Sequence, residues 1–252
     1  MPVSDDPHSP RALAARLLSL LDLTSLGESD TPAQIEALCA SALAAPVLPA
    51  ALCVYPEHVA SVRRHLQGST IKLATVVNFP DGGSDPARVE RETQRALAAG
   101  ADEIDLVLPY RALLAGDVAV AGAVVRACRA VCDDGIVLKL IVESGELGTP
   151  ERIRQACVIG LDAGVDFLKT STGKVPVNAS LAAAAVMLDA IAEAGGRCGF
   201  KAAGGIRTLA DAAAYLDLAE ARLGPGWSDP AHFRIGASAL FGALVAAASA
   251  AS

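Results

Sequence analysis

From Leu20 onward, short apolar runs alternate with longer stretches whose apolar positions recur at helical spacing. The short runs predict strands over Leu20–Thr24, Ala50–Tyr55, Ile71–Asn78, Glu103–Leu108, Ile136–Glu143, Asp166–Thr170, Gly199–Ala203 and Phe233–Gly236. Between them helices are expected near Thr31–Ala44, Pro56–Leu66, Asp85–Ala99, Val118–Val131, Pro150–Ala163, Ala179–Ala194 and Leu209–Leu218, with a last one after Ser238. Alternating strand and helix implies parallel strands joined by right-handed crossovers. Eight such units predict an α/β fold of one closed (β/α)8 barrel, a TIM barrel, rather than an open doubly wound sheet. A further helix near Arg11–Ser19 precedes the first strand and is expected to plug the barrel bottom.

Local punctuation agrees with that count. Gly100, Gly164 and the Gly195-Gly196 pair each follow a predicted helix, where glycine suits the left-handed cap position. Thr149-Pro150 opens another helix with a cap residue and then proline in the first turn. No repeat period, linker or internal boundary appears, so residues 1–252 are expected to form a single domain, with 1–10 flexible. That acidic, proline-bearing start lacks the basic residues and apolar run of a signal peptide.

Composition narrows the picture modestly. Hydrophobic residues make up 52% and aromatics 4%, so the core must be aliphatic. A net charge of -7 argues against a general affinity for nucleic acid or anionic membrane, which call for a basic footprint. The uncharged stretch Ile235–Ser252 is mostly Ala, Gly and Ser. A membrane span needs about 20 strongly apolar residues, so this stretch is expected to be a barrel-covering helix in a cytoplasmic protein. The six cysteines form no C-x-x-C pair, and Cys128 and Cys132 lie one helical turn apart without companions. Reduced thiols and no metal site are expected. His58 and His65 are expected to face solvent.

Three predicted strands carry a lysine inside an apolar run: Lys139, Lys169 and Lys201. A lone buried ammonium is costly, so each needs either a carboxylate partner or a chemical purpose. Lys169 and Lys201 fall toward the C-terminal ends of neighbouring strands, where barrel active sites lie. A free lysine has a pKa of about 10.4; a second cation and a dry pocket both favour the neutral amine. Such an amine can attack a carbonyl to form an imine. The protonated imine is an electron sink that lets the carbon–carbon bond one position further out break, with no metal or cofactor. Asp22 and Asp105 also sit in apolar strands, and alternation puts Glu103 on the same face as Asp105. Two acids and three lysines at interior positions point to a working site.

Glycine-rich segments follow three adjacent strands: Thr170-Ser171-Thr172-Gly173-Lys174, Gly204-Gly205-Ile206-Arg207 and Gly236-Ala237-Ser238. Small residues and helix N-termini let backbone amides approach an anion, and barrels often hold phosphate after strands seven and eight. The first segment is not a nucleotide P-loop, since Leu168 and Val175 stand where that motif has glycine and serine or threonine.

These residues belong to longer strings: Thr75-Val76-Val77-Asn78-Phe79-Pro80, Gly100-Ala101-Asp102-Glu103-Ile104-Asp105, Pro109-Tyr110-Arg111-Ala112-Leu113, Lys169-Thr170-Ser171-Thr172-Gly173-Lys174 and Gly199-Phe200-Lys201-Ala202-Ala203-Gly204-Gly205. On them the chain resembles the deoxyribose-phosphate aldolases, from Leu21-Asp22-Leu23-Thr24 to Gly236-Ala237-Ser238. The resemblance implies reversible cleavage of 2-deoxy-D-ribose 5-phosphate to D-glyceraldehyde 3-phosphate and acetaldehyde. It assigns the Schiff base to Lys169, a tuning and relay role to Lys201, and proton shuttling to Asp105, with Asp22 and Lys139 as support. It places the phosphate among Thr172, Gly173, Lys174, Gly204, Gly205, Arg207, Gly236 and Ser238, and gives Cys53 a packing role. Three departures stand out: Ala202 where proline is common, Ala239 where some members have a second serine, and an Ala-Ser tail without a terminal tyrosine. The implied partners are small phosphosugars and aldehydes; the oligomeric state stays open, a homodimer being one candidate. The alternatives are another phosphosugar barrel enzyme, or a non-catalytic phosphosugar-binding protein. The lysine pair disfavours an isomerase, and intact Asp105, Lys169 and Lys201 disfavour a non-catalytic protein.

Overall fold

The computed structural model describes residues 9–250. Eight parallel strands close into a barrel in chain order, the last pairing back to the first. They are β1 (Leu21–Ser25), β2 (Ala51–Val54), β3 (Lys72–Val77), β4 (Glu103–Val107), β5 (Val137–Ile141), β6 (Phe167–Lys169), β7 (Gly199–Ala203) and β8 (Phe233–Ala237). Outside run α1 (Pro10–Ser19), α2 (Pro32–Leu43), α3 (Val59–His65), α4 (Pro86–Ala98), α6 (Val118–Val131), α8 (Pro150–Asp162), α9 (Leu181–Glu193), α10 (Leu209–Leu223) and α11 (Leu240–Ser249). The loop helices α5 (Tyr110–Leu114) and α7 (Ser144–Leu147) were not expected. Each is about one turn long, too short to show a periodic apolar face. The (β/α)8 barrel read from the strand–helix alternation is the fold observed.

Helix starts follow a recurring recipe. Ser9, Thr31, Asp85, Thr149, Ser180 and Thr208 each accept a backbone N–H of the first turn, satisfying an otherwise orphaned donor. Proline follows the cap at Pro10, Pro32, Pro86 and Pro150, where its missing N–H is not needed. Gly100 and Gly164 take positive φ just past α4 and α8, as the sequence implied.

Strand alternation sorts the side chains. Leu21, Leu23, Leu52, Leu73, Ile104, Leu138, Leu140 and Leu168 join the main apolar core beneath the helices. A second, small apolar cluster of Ala51, Cys53, Ala74 and Val76 lines part of the barrel interior, with Cys53 wholly buried in it. Much of the rest of the interior is charged.

Two expectations need correction. Helix α1 does not plug the barrel bottom. A single residue, Leu20, links it to β1, leaving no loop to swing it beneath the strands. It packs instead against α10 and α11, burying Ala14, Leu17 and Leu18. The bottom opens to a cavity of about 630 Å³ with Glu103, Phe167, Arg197 and Arg234 in its walls. Of the ten N-terminal residues expected to be flexible, Ser9 and Pro10 are built into α1 as its cap and first residue; the other eight lie outside the described residues, as does the end of the tail. Helix α11 forms after Ser238 as expected, and no helix among the described residues is long and apolar enough to cross a membrane. His65 is exposed and His58 half-buried, while all six cysteines are unbonded thiols.

Candidate active site

Strand register brings the predicted residues together. Cα partners across the sheet are Asp105 with Lys139, Lys169 with Lys201, and Lys201 with Arg234. All of these side chains point into the barrel and meet. Asp105 Oδ2 accepts from Lys169 Nζ at 2.7 Å and from Lys201 Nζ at 2.8 Å. Its other oxygen accepts from Lys139 Nζ at 2.8 Å. Lys201 also donates to Asp22 at 2.5 Å, and Lys139 pairs with Glu103 at 2.5 Å. Sharing one carboxylate oxygen puts the Lys169 and Lys201 nitrogens within a few ångströms of each other.

Charge counting distinguishes the two. The connected network holds four cations, Lys139, Lys169, Lys201 and Arg234, against three carboxylates, Asp22, Glu103 and Asp105. Every member is buried, and an uncompensated buried charge is expensive. The network balances when one amine is neutral. Burial drives the Lys169 amine below the usual lysine range, and the charge of Lys201 adds to this against the pull of Asp105. Burial opposes the charge on Lys201 too, but Asp105 and Asp22 outweigh it and hold that ammonium well above the usual range. Asp105 is itself kept ionised by Lys139, Lys169 and Lys201 despite its burial. The site therefore presents an amine whose charge is disfavoured beside a firmly charged ammonium, with a carboxylate between them.

Lys169 is also the network's outlet at the C-terminal end of the barrel. It lines a cavity of about 230 Å³ there, together with Thr172, Gly173, Gly204, Gly205, Arg207, Gly236 and Ser238. Ala239, one of the three departures, lines it as well. Two glycines are dictated by geometry. A Cβ on Gly204 would lie 2.7 Å from Asn178 Oδ1, on a backbone with φ of +91°. A Cβ on Gly236 would lie 2.9 Å from Lys201 Cε, so this position stays bare for the lysine to cross it. Of the residues expected around a phosphate, Lys174 stands apart. Its Nζ donates to the Leu26 carbonyl at 2.6 Å and lies over the Tyr55 ring, and it does not line the cavity.

Two interior residues were passed over in the sequence. Arg234 Nη1 donates to Asp22 at 2.7 Å and Nη2 to Glu103 at 3.1 Å, tying off the bottom of the network. The signal was the one used for the lysines: a charge between Phe233 and Ile235 in an apolar run. Glu103 was placed on the right face but not in the site. A third, Glu143, lies just past β5 at the start of α7 and is fully buried against Thr172; nothing in its spacing marked it.

Comparison with known proteins bears on this geometry. Residues 16–241 match the profile of the DeoC/LacD family aldolases. A structure from Coccidioides immitis, provisionally named a deoxyribose-phosphate aldolase, is 31% identical, with 90% of this chain and 83% of that one covered and a TM-score of 0.78. One from Toxoplasma gondii, named in the same provisional way, is 27% identical over 95% and 96% of the two chains, with a TM-score of 0.86. The deoxyribose phosphate aldolase of Aeropyrum pernix, described as a tetramer, is 24% identical over 94% and 91%, with a TM-score of 0.72.

Proposed function

The chain belongs to the DeoC/LacD family of aldolases, and from that premise we propose that it cleaves 2-deoxy-D-ribose 5-phosphate to D-glyceraldehyde 3-phosphate and acetaldehyde through a Schiff base on Lys169. The observation that carries the reading is the bond of Lys169 Nζ to Asp105 Oδ2, an oxygen shared with the charged Lys201. A neutral amine attacks the aldehyde carbon, water leaves, and a protonated imine forms. That cation withdraws the electrons of the bond between the second and third sugar carbons as the third carbon's hydroxyl gives up its proton. Glyceraldehyde 3-phosphate departs, and the enamine left on Lys169 is protonated and hydrolysed to acetaldehyde. Asp105 is placed to carry protons between the two lysines, and Lys201 to supply them. Asp22 and Lys139 hold that pair in place. The phosphate lies in the cavity among Thr172, Gly173, Gly204, Gly205, Arg207, Gly236 and Ser238, with Lys174 at its rim.

The test is borohydride reduction in the presence of acetaldehyde, followed by peptide mapping. An adduct on Lys169 supports the reading; an adduct elsewhere, or none, overturns it. A panel of phosphorylated and unphosphorylated sugars separates this reaction from that of another Schiff-base aldolase. Loss of turnover on adding a chelator would point to a metal aldolase instead.

A further inference from the structure

Thr172 lines the Lys169 cavity, yet its one hydroxyl proton is already committed elsewhere. Thr172 Oγ1 donates to Glu143 Oε2 at 2.5 Å, and Thr172 N lies 3.3 Å from both oxygens of that carboxylate. On its other side the same Oγ1 accepts the N–H of Lys174 at 3.0 Å. A hydroxyl carries one proton and two lone pairs. While Glu143 is ionised, Thr172 can therefore offer a phosphate oxygen only lone pairs, acceptor against acceptor. Glu143 itself is held with care. It is one of two non-glycine residues with positive φ among the described residues (φ 57°), a conformation that is unfavourable for a residue with a side chain. Its side chain has no exposure to solvent.

We propose that Glu143 is a positioning residue for phosphate recognition, taking up a proton when a phosphate monoester enters the Lys169 cavity and so releasing the Thr172 hydroxyl to donate to the ester. This rests on the reading of that cavity as the phosphate site. The protons balance. One comes from solvent to Glu143 Oε2, the new acid O–H donates to Thr172 Oγ1, and the threonine's own O–H turns to a phosphate oxygen. No other bond forms or breaks. Burial already pushes the Glu143 carboxyl above its usual range, held back by its two bonds from Thr172 and by the charge of Lys169. The titratable groups around it are Lys169 of β6, Glu146 of α7 and Tyr110 of α5. An arriving phosphate dianion adds a like charge and moves Glu143 further toward its acid form.

Calorimetry with sn-glycerol 3-phosphate, a monoester with no carbonyl, tests this at mildly alkaline pH in buffers of different ionisation heat. Wild type is expected to take up a measurable fraction of a proton more than Glu143→Gln, the ester's own protonation being common to both. Glu143→Gln is expected to bind about tenfold tighter, because its amide donates permanently to Thr172 Oγ1. That gain should vanish in a Thr172→Val background and survive with Thr172→Ser. Equal proton uptake by wild type and Glu143→Gln overturns the proposal, as does a gain that persists without the hydroxyl. Absence of monoester binding in folded proteins that still trap an imine on Lys169 overturns the phosphate reading along with it. If Glu143→Gln fails to fold, Thr172→Ser and Thr172→Val carry the test. The serine variant must keep the wild-type uptake and the valine variant lose it; equal uptake in the two overturns the proposal.

Discussion

The two ends of the barrel interior are built from the same kinds of residue and behave differently. At the bottom, Arg234 is held by Asp22 and Glu103, and these two carboxylates hold it above the usual arginine range despite burial. At the top, Lys169 shares a single carboxylate oxygen with Lys201 and is driven toward its neutral form. The larger cavity is at the bottom, about 630 Å³ against about 230 Å³. Cavity size thus does not locate the chemistry. What separates the ends is the number of acceptors per cation: Arg234 below meets two carboxylates, while Lys169 above has a single carboxylate oxygen that it shares with Lys201. On the function proposed above, the same fold uses charge pairing for stability at one end and its shortage for reactivity at the other.

The largest effect should follow from removing the under-partnered amine. Lys169→Leu is expected to abolish turnover and imine trapping while the variant still folds, measured by coupled assay and circular dichroism. Lys201→Leu comes next. It leaves Asp22 and Asp105 without a cation they share, and removes a charge that disfavours protonation of Lys169. Lys169 then titrates higher, and because the free amine is the reactive form, the acid limb of the pH profile of kcat/KM should move to higher pH. Near neutrality the loss is expected to be about 100-fold or more. An unmoved acid limb would mean that the two lysines are not coupled, and that the contrast between the barrel ends has another cause.

Much of this was legible in the chain. The eight strand–helix units follow from apolar periodicity because most of the outer helices open on a side-chain cap and the strands keep an apolar outer face. Lys139, Lys169, Lys201, Asp22 and Asp105 were found by one rule, that a charge inside an apolar strand must face a partner. Arg234 obeys that rule as well. What periodicity could not supply was vertical order within the barrel. Which cation meets two acids and which meets half of one depends on strand stagger, which no local spacing encodes. Glu143 was invisible for a different reason: it lies at a strand end, where a glutamate ordinarily reaches solvent. The position of α1 was misjudged because a one-residue connection fixes direction more tightly than sequence distance suggests.

A bottom-end substitution tests the other half of the contrast. Arg234→Met should leave Asp22 with Lys201 and Glu103 with Lys139, each short of one donor. Breaking a buried pair in this way costs about 3–5 kcal/mol, read as a lower denaturant midpoint. The fraction that folds should still trap the imine on Lys169 once the pH is high enough to free that amine, since the loss of one cation leaves three against three. Loss of trapping in well-folded Arg234→Met would show that the lower end sets the reactivity of the upper one, and would dissolve the distinction drawn here.

The smallest effect is the most discriminating, because its sign should be opposite. Lys169 is held below its unfolded pKa in the native state. At pH values under the unfolded pKa of about 10.4 the unfolded chain binds more protons there than the folded one, so this residue subtracts stability across the neutral range and ceases to do so as pH rises. Replacing it by methionine leaves three cations against three carboxylates, and Asp105 keeps Lys139 and Lys201 as partners. Lys169→Met is therefore expected to raise Tm by about 2–4 °C, the shift that about 1 kcal/mol produces in a domain of this size. The gain should shrink as pH rises toward that of the free lysine. Scanning calorimetry at several pH values reads both. A drop in Tm, or a gain indifferent to pH, would mean that Lys169 is as well partnered as Arg234, and that a shortage of acceptors is not what makes this amine reactive.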